Sequence, residues 1–161
     1  MRDEGFEVAF DTLFPRAQRL AQRILGDPDA AEDVAAEAMA RAYARWQQLE
    51  NAPWRDGWVL KVTANLAIDA TRRKRPLIGR PVDRDAEDAA AIRITLVAAL
   101  RALSRRQREV IVLRYLSGLD EAEIATSLGI SAGSVKTHTH RGLAALRARL
   151  GPDLEETSLA L

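Results

Sequence analysis

Cysteine is absent from this 161-residue chain, so neither disulfides nor thiolate metal sites are available. Aromatic residues make up only 5% of it. Alternating Val/Ile/Thr runs bounded by turns are missing, which argues against a sheet. No apolar run approaches the length needed to cross a bilayer, and the acidic start "MRDEGFEVAF" lacks the apolar core of a signal peptide. No phosphate-cradling glycine loop, nucleophile elbow or paired-carboxylate site stands out. The expectation is a cytoplasmic protein that is no enzyme, uses no cofactor or metal and inserts in no membrane. What remains is rich in Ala, Leu and Arg, 47% hydrophobic and 29% charged, a bias toward helix.

The net charge of +1 hides an asymmetry. Residues 1–71 carry 8 basic and 12 acidic side chains, residues 72–84 carry 6 and 1, and residues 101–150 carry 9 and 4. An acidic front followed by two basic zones suits a chain that meets both a protein and a nucleic acid, although charge runs are commonly just solvated faces.

Helical periodicity organises the chain. Phe6, Phe10, Leu13, Ala17, Leu20 and Ile24 form one stripe, with Pro15 starting or kinking the helix. Asp29 is the expected cap of a second helix running to about Leu49, with Ala30, Val34, Ala38, Ala42 and Trp46 inward. A third helix, "WVLKVTANLAIDATRRKR", stops at Pro76 and turns Val59, Val62 and Leu66 one way. Its other face aligns Trp58, Lys61, Asn65, Asp69 and Arg72. Such a face can stack on and hydrogen-bond to unpaired bases, or can be an ordinary solvated face with Trp58 half in the core. The segment "PLIGRPVDRDAEDAA" reads as a linker. Further on, Ser104 and Gly118 bracket "RRQREVIVLRYLSG" as cap and stop. The expected fold is all-α. It has two small helical domains, 1–76 and 91–150, a flexible linker 77–90 that lets them move independently, and a frayed tail 151–161.

The segment "EIATSLGISAGSVKTHTHRG" carries the most chemistry. Ile124, Ala125 and Leu128 are the buried side of one short helix, Gly129 supplies a left-handed turn, Ser131 caps the next helix and Val135 anchors it. That is the spacing of a DNA-binding helix-turn-helix. Ser134, Lys136, Thr137, His138, His140 and Arg141 then face a major groove. His138 and His140 lie about 200° apart around a helix and do not share an ion readily, so they are structural or DNA-contacting.

Taken in order, "DAAEDVAAEAMARAYARW", "WVLKVTANLAIDATRRKR" and the block from Leu103 to Leu150 resemble the two blocks of an extracytoplasmic-function (ECF) sigma factor of the sigma-70 family over about 140 residues. "NLAID" followed by "RRKR", and "GISAGSVKTHTHRG", are the most specific pieces. The resemblance implies that Glu32, Asp33, Glu37 and Arg41 meet the clamp of the RNA polymerase core, in its beta-prime subunit. It implies that Trp58, Lys61, Asn65, Asp69, Arg72 and Arg73 lie at the melted minus-ten strand, with the Glu50–Arg55 loop beside a flipped base. The second block would meet the beta flap and, through Lys136, Thr137, His140 and Arg141, the minus-thirty-five duplex. The linker acids Asp83, Asp85, Glu87 and Asp88 would line a basic channel, and an anti-sigma factor would be a further partner. Ala36 stands where the family usually has Gln, and Thr139 where it usually has Leu. Two rivals remain at this point: a repressor with a LuxR-type output helix, and a helical adaptor that binds only protein.

Overall fold

A computed structural model of the chain describes residues 2–73 and 84–151. Among them are eight α-helices, one π-helical turn and no strand. The first half contains α1 (Arg2–Leu25), α2 (Pro28–Ala44), the single turn α3 (Trp46–Leu49) and α4 (Arg55–Thr71). The second contains α5 (Arg84–Ala102), α6 (Arg105–Ile111) running on through a π turn (Val112–Leu116), α7 (Glu121–Leu128) and α8 (Ala132–Leu150).

Local chemistry sets most helix ends. Pro15 lies inside an unbroken α1 rather than at its start. It is exposed, as is Asp11, whose carbonyl loses its intrahelical donor and can turn to water. The cap of α2 is Asp27, not Asp29: its carboxylate accepts from the backbone N–H of Asp29 and Ala30, and Pro28 takes the first helical position, where no N–H is needed. Arg45 ends α2 short of Leu49 and the chain resumes as α3. In the second half Ser104 and Asp120 each close a reciprocal capping box, with Gln107 and Glu123. Gly129 adopts φ +65°, and Ser131 accepts from the backbone N–H of Ser134.

The face of α4 that enters the core is Val59, Leu60, Thr63, Ala64, Ala67 and Ile68. Val62 and Leu66, expected to share it with Val59, are only half-buried. The stripe is shifted by one residue because α4 is covered from two sides. One side is α1 and α2; the other is the second half.

The halves do not stand apart. Leu20, Ile24, Leu60, Ala64 and Ile68 belong to the same buried cluster as Leu96, Leu100, Leu113, Leu116 and Leu119. An Nη1 of Arg23 donates to the Leu116 carbonyl. Gly57 of α4 presses on α7 so closely that an added Cβ would lie 1.7 Å from Ser127 Oγ and 3.4 Å from Leu119 Cδ2. In this structure the two halves are packed against one another. Residues 84–90, read as linker, form the first turns of α5. Residues 74–83, with the rest of that linker, and 152–161, nearly all of the expected tail, lie outside the described residues. A second, aromatic cluster occupies the far end of the first half, where Leu13, Met39, Trp46, Leu49 and Val59 are buried beneath Phe6 and Phe14.

Candidate nucleic-acid and polymerase interface

The helix-turn-helix is α7, the Gly129 turn and α8. Ile124 and Val135 are fully buried and hold the two helices to the core. That anchoring leaves Gly133, Lys136, Thr137, His140, Arg141 and Ala144 exposed, a stripe stepping by three and four residues on one side of α8. Lys136, Thr137, His140 and Arg141 are thus brought together as the spacing requires. Lys136 has a long contact to Glu121 of α7, 3.8 Å, and 74% of its side chain is exposed, so little holds it back. Thr137 Oγ1 donates to the Gly133 carbonyl at 3.0 Å, leaving its lone pairs free to accept. Ser134 is half-buried at the helix start, within 3.0 Å of the Ser131 hydroxyl. His138 is the exception: it is half-buried off this stripe, with Nδ1 shielded from solvent. Its ring belongs to the packing of α8, not to the outward face. Thr139 also turns back, donating to the Val135 carbonyl at 2.8 Å.

On α4, Trp58, Lys61, Asn65, Asp69 and Arg72 do share one face, and that face lines a cleft of about 730 Å³. The other walls are Arg41 of α2, Arg45 just past its end, and Arg105 and Arg108 of α6. Trp58 is half-buried and carries the Arg45 guanidinium 5.7 Å from its ring centre. Asn65 donates from Nδ2 to Glu109 Oε1 at 3.1 Å. Glu109 is only 3% exposed, and its carboxylate also accepts from Arg105 Nε and Arg106 Nη1, both at 3.1 Å. Burial holds the Lys61 ammonium below its usual range; Glu109 opposes that shift, while Arg106, Arg105 and Arg45 add to it. Arg72 and Arg73 are exposed beyond the end of α4.

The third group lies on α2. Glu32, Asp33, Glu37 and Arg41 are all exposed along one side, as is Ala36. Glu37 and Arg41 pair at 2.9 Å, one helical turn apart. The Glu50–Arg55 loop is tied by Arg55, which donates to the Glu50 carbonyl at 3.2 Å and to Asp56 at 3.0 Å.

Glu109, Arg45 and the close pair Gly57–Ser127 were not singled out in the sequence. Glu109 had one signal: a carboxylate at the head of an apolar run, with arginines three and four residues before it. The other contacts depend on how the two halves meet. Among the described residues no group of three or more His, Asp or Glu is gathered to hold a metal ion. No described helix is long and apolar enough to cross a membrane.

A helical protein that presents a polar recognition helix behind a glycine turn, and a second cationic face carrying an aromatic and an amide, is a DNA-binding protein of two modules. Residues 9–76 match the model of sigma-70 region 2, and residues 93–146 match that of sigma-70 region 4. The chain is 36% identical to the RNA polymerase sigma-E factor of Streptomyces coelicolor over 162 residues, covering 96% of this chain and 91% of that protein. It is 29% identical to the ECF RNA polymerase sigma factor SigW of Bacillus subtilis, covering 91% and 89%. Two solved structures share the fold. CnrH, in complex with the cytosolic domain of CnrY, has a TM-score of 0.64 at 23% identity, covering 92% of this chain and 89% of that one. RpoE of Bartonella quintana, with the anti-sigma factor NepR, has a TM-score of 0.57 at 20% identity, covering 96% and 100%.

The chain belongs to the sigma-70 family, in its extracytoplasmic-function branch. It is an alternative sigma factor: it joins the RNA polymerase core, recognises minus-ten and minus-thirty-five promoter elements and starts transcription. Factors of this kind initiate transcription rather than catalyse, and the chemistry stays with the polymerase. The repressor and adaptor readings fall with this assignment.

Proposed function

We propose that promoter reading is divided among the three faces as follows. The α8 stripe, with Ser134, Lys136, Thr137, His140 and Arg141, enters the minus-thirty-five major groove. Its two cations reach phosphates or guanine edges, and its hydroxyls and imidazole supply shorter hydrogen bonds. His138 is left out of this set because its ring is turned toward the protein. The α4 face captures the melted minus-ten strand. Asn65 meets a base edge with both a donor and an acceptor, Trp58 gives a stacking plane, and Lys61, Arg72 and Arg73 hold phosphates with Asp69 beside them. Glu32, Asp33, Glu37 and Arg41 form the polymerase-binding side of α2, against the beta-prime clamp. The acids Asp85, Glu87 and Asp88 of α5 line a basic channel of the polymerase; Asp83, read with them, lies outside the described residues.

The mechanism is one of linked weak contacts. Two modest DNA contacts joined in one chain raise each other's effective concentration, and the core enzyme fixes their span. Capturing an unpaired base offsets a few kcal/mol of unstacking without nucleotide hydrolysis. The setting is cytoplasmic, and the partners are polymerase core, promoter DNA and an anti-sigma protein such as the one bound by the Bartonella quintana factor.

The observation that carries the reading is the gathering of Lys136, Thr137, His140 and Arg141 on the one exposed side of α8. Runoff transcription by polymerase core plus this protein tests the division of roles. Asn65→Ala holoenzyme should bind closed promoter but open it poorly, and a pre-melted template should restore activity. Wild-type opening by Asn65→Ala would remove Asn65 from strand capture.

A further inference from the structure

A second cavity, of about 270 Å³, shares no lining residue with the α4 cleft or the α8 stripe. It lies between Arg16, Arg19 and Arg23 of α1 and the Ser117–Gly118 turn, with Leu60 of α4 among its walls. No acid is among the described residues that line it. The three arginines step by three and four residues, so they share one side of α1. Like charges one turn apart repel along a bare helix. The fold offsets two of them. Arg16 pairs with Asp56 at 3.1 Å, and Arg23 donates to the Leu116 carbonyl at the end of the π turn. Arg19 is exposed and has no hydrogen bond or ion pair among the described residues.

The opposite wall carries a second unused group. Ser117 Oγ is shielded from solvent and has no hydrogen-bond partner, a condition that costs stability until a partner arrives. The backbone N–H of Ser117 already donates to the Val112 carbonyl at 3.1 Å, so the hydroxyl is not needed to hold the turn. The carbonyl end of a helix is partly negative and repels an anion. Here Arg23 covers that end, and Arg19 stands beside it with its charge unspent. The volume is just under the roughly 300 Å³ at which sites for drug-sized ligands begin. That suits a phosphate unit rather than a whole cofactor.

We propose that this cavity is a binding site for a small phosphate-bearing ligand, one or two phosphate groups in size, with Arg19 as its main cation, Arg16 and Arg23 beside it and the Ser117 hydroxyl on the opposite wall. Asp56 offsets one of the three positive charges, and the remainder matches a dianion. A guanidinium fork takes oxyanions through paired hydrogen bonds. Donors reach the cavity from two walls; a tetrahedral phosphate offers acceptors toward both, whereas a carboxylate offers them in one plane. The ligand takes up the two contacts that the folded chain leaves unmade. The inference does not rest on the division of roles among the DNA faces.

The test uses the full chain, with inorganic pyrophosphate as the probe, followed by titration calorimetry and thermal unfolding. A ligand that binds only the folded chain raises the thermal midpoint with its concentration. Pyrophosphate should give a saturable rise. Sodium chloride at matched ionic strength, and malonate, a dianion of planar carboxylates, should give far less. Arg19→Ala should weaken pyrophosphate binding about tenfold and Ser117→Ala about threefold, the usual range for hydrogen bonds to a charged and a neutral donor, with Arg19→Lys between wild type and Arg19→Ala. Neither alanine variant breaks a described bond, so without probe Arg19→Ala should melt with the wild type and Ser117→Ala at or above it. Lys136→Ala, on the α8 stripe, should bind pyrophosphate as the wild type does. An equal response to chloride or malonate, loss of binding in Lys136→Ala, or wild-type affinity in both Arg19→Ala and Ser117→Ala would overturn the site. So would binding of mixed-sequence single-stranded DNA, weakened by Arg19→Ala, without binding of pyrophosphate, since the arginines would then serve a nucleic-acid backbone.

Discussion

Asn65 and Glu109 sit on helices from opposite halves of the chain and are joined by a hydrogen bond of 3.1 Å. They are not equal partners. Glu109 has two further donors, Arg105 and Arg106, and almost no exposure. Asn65 is half-buried and makes no other described side-chain bond. Removing the amide therefore leaves a buried carboxylate still paired, whereas removing the carboxylate leaves three donors and several cations around an empty site. Asn65→Ala should destabilise by about 1.5–3 kcal/mol, the usual worth of a hydrogen bond to a charged group. Glu109→Ala should cost more, about 3–5 kcal/mol. Urea unfolding of both variants checks the order; an equal or reversed cost would mean that Glu109 is not the anchor of the contact.

Arg141→Ala and Lys136→Ala should weaken promoter binding while leaving the fold intact, because both side chains lie on the exposed stripe of α8. A base-reading residue should cost about 1–3 kcal/mol and relax sequence preference. A phosphate-binding one should weaken all sequences alike and reduce the salt slope by about one. Holoenzyme binding to duplex promoter across a salt series separates the two. Wild-type affinity and slope in both variants would remove this face from DNA contact.

Gly129 has φ +65° and open space where a Cβ would go. Gly129→Ala thus meets backbone strain and no clash, and should cost about 1–2 kcal/mol. Gly129→Asn should cost less, since Asn tolerates the left-handed region. Denaturant midpoints of the two variants give the comparison, and equal costs would point to a steric cause instead.

Lys61 gives the fold a pH dependence of known sign. Its affinity for a proton is lower in the folded chain than in the unfolded one, where the ordinary value of 10.5 applies. Its charge therefore opposes the folded form at neutral pH. The penalty shrinks as pH rises through the depressed folded value toward 10.5. Lys61→Met should raise the thermal midpoint at pH 7, and the gap between variant and wild type should narrow in alkali. A lower midpoint for Lys61→Met at pH 7 would show that attraction to Glu109 outweighs burial.

Much of this architecture is legible in the sequence because it is local. Ser104, Asp120 and Ser131 act within three residues of themselves, and Gly129 within one turn. The α8 stripe follows from helical spacing once Val135 is placed inward. The misreadings have equally local causes. Asp29 and Asp27 compete for one cap, and Pro28 decides it by occupying the first helical position. His138 is the exception, since its half-burial depends on how α8 packs on its neighbours. What no local pattern contains is the meeting of the halves. The partners of Asn65, Gly57 and Arg23 lie 44 residues or more along the chain. A basic stripe on α4 reads the same whether it faces water, DNA or another helix.

From Glu109 to Leu113 every residue is buried, a run no amphipathic surface helix would show. A helix in a free-standing second half would keep one polar side for water. Here that helix packs mainly on α8 of its own half, with α4 of the first half joining the same hydrophobic cluster. The consequence is colloidal. When the halves part, each bares a patch suited to contact rather than to hydration, and such patches drive association in concentrated solution. A partner surface laid over such a patch would take the place of the other half.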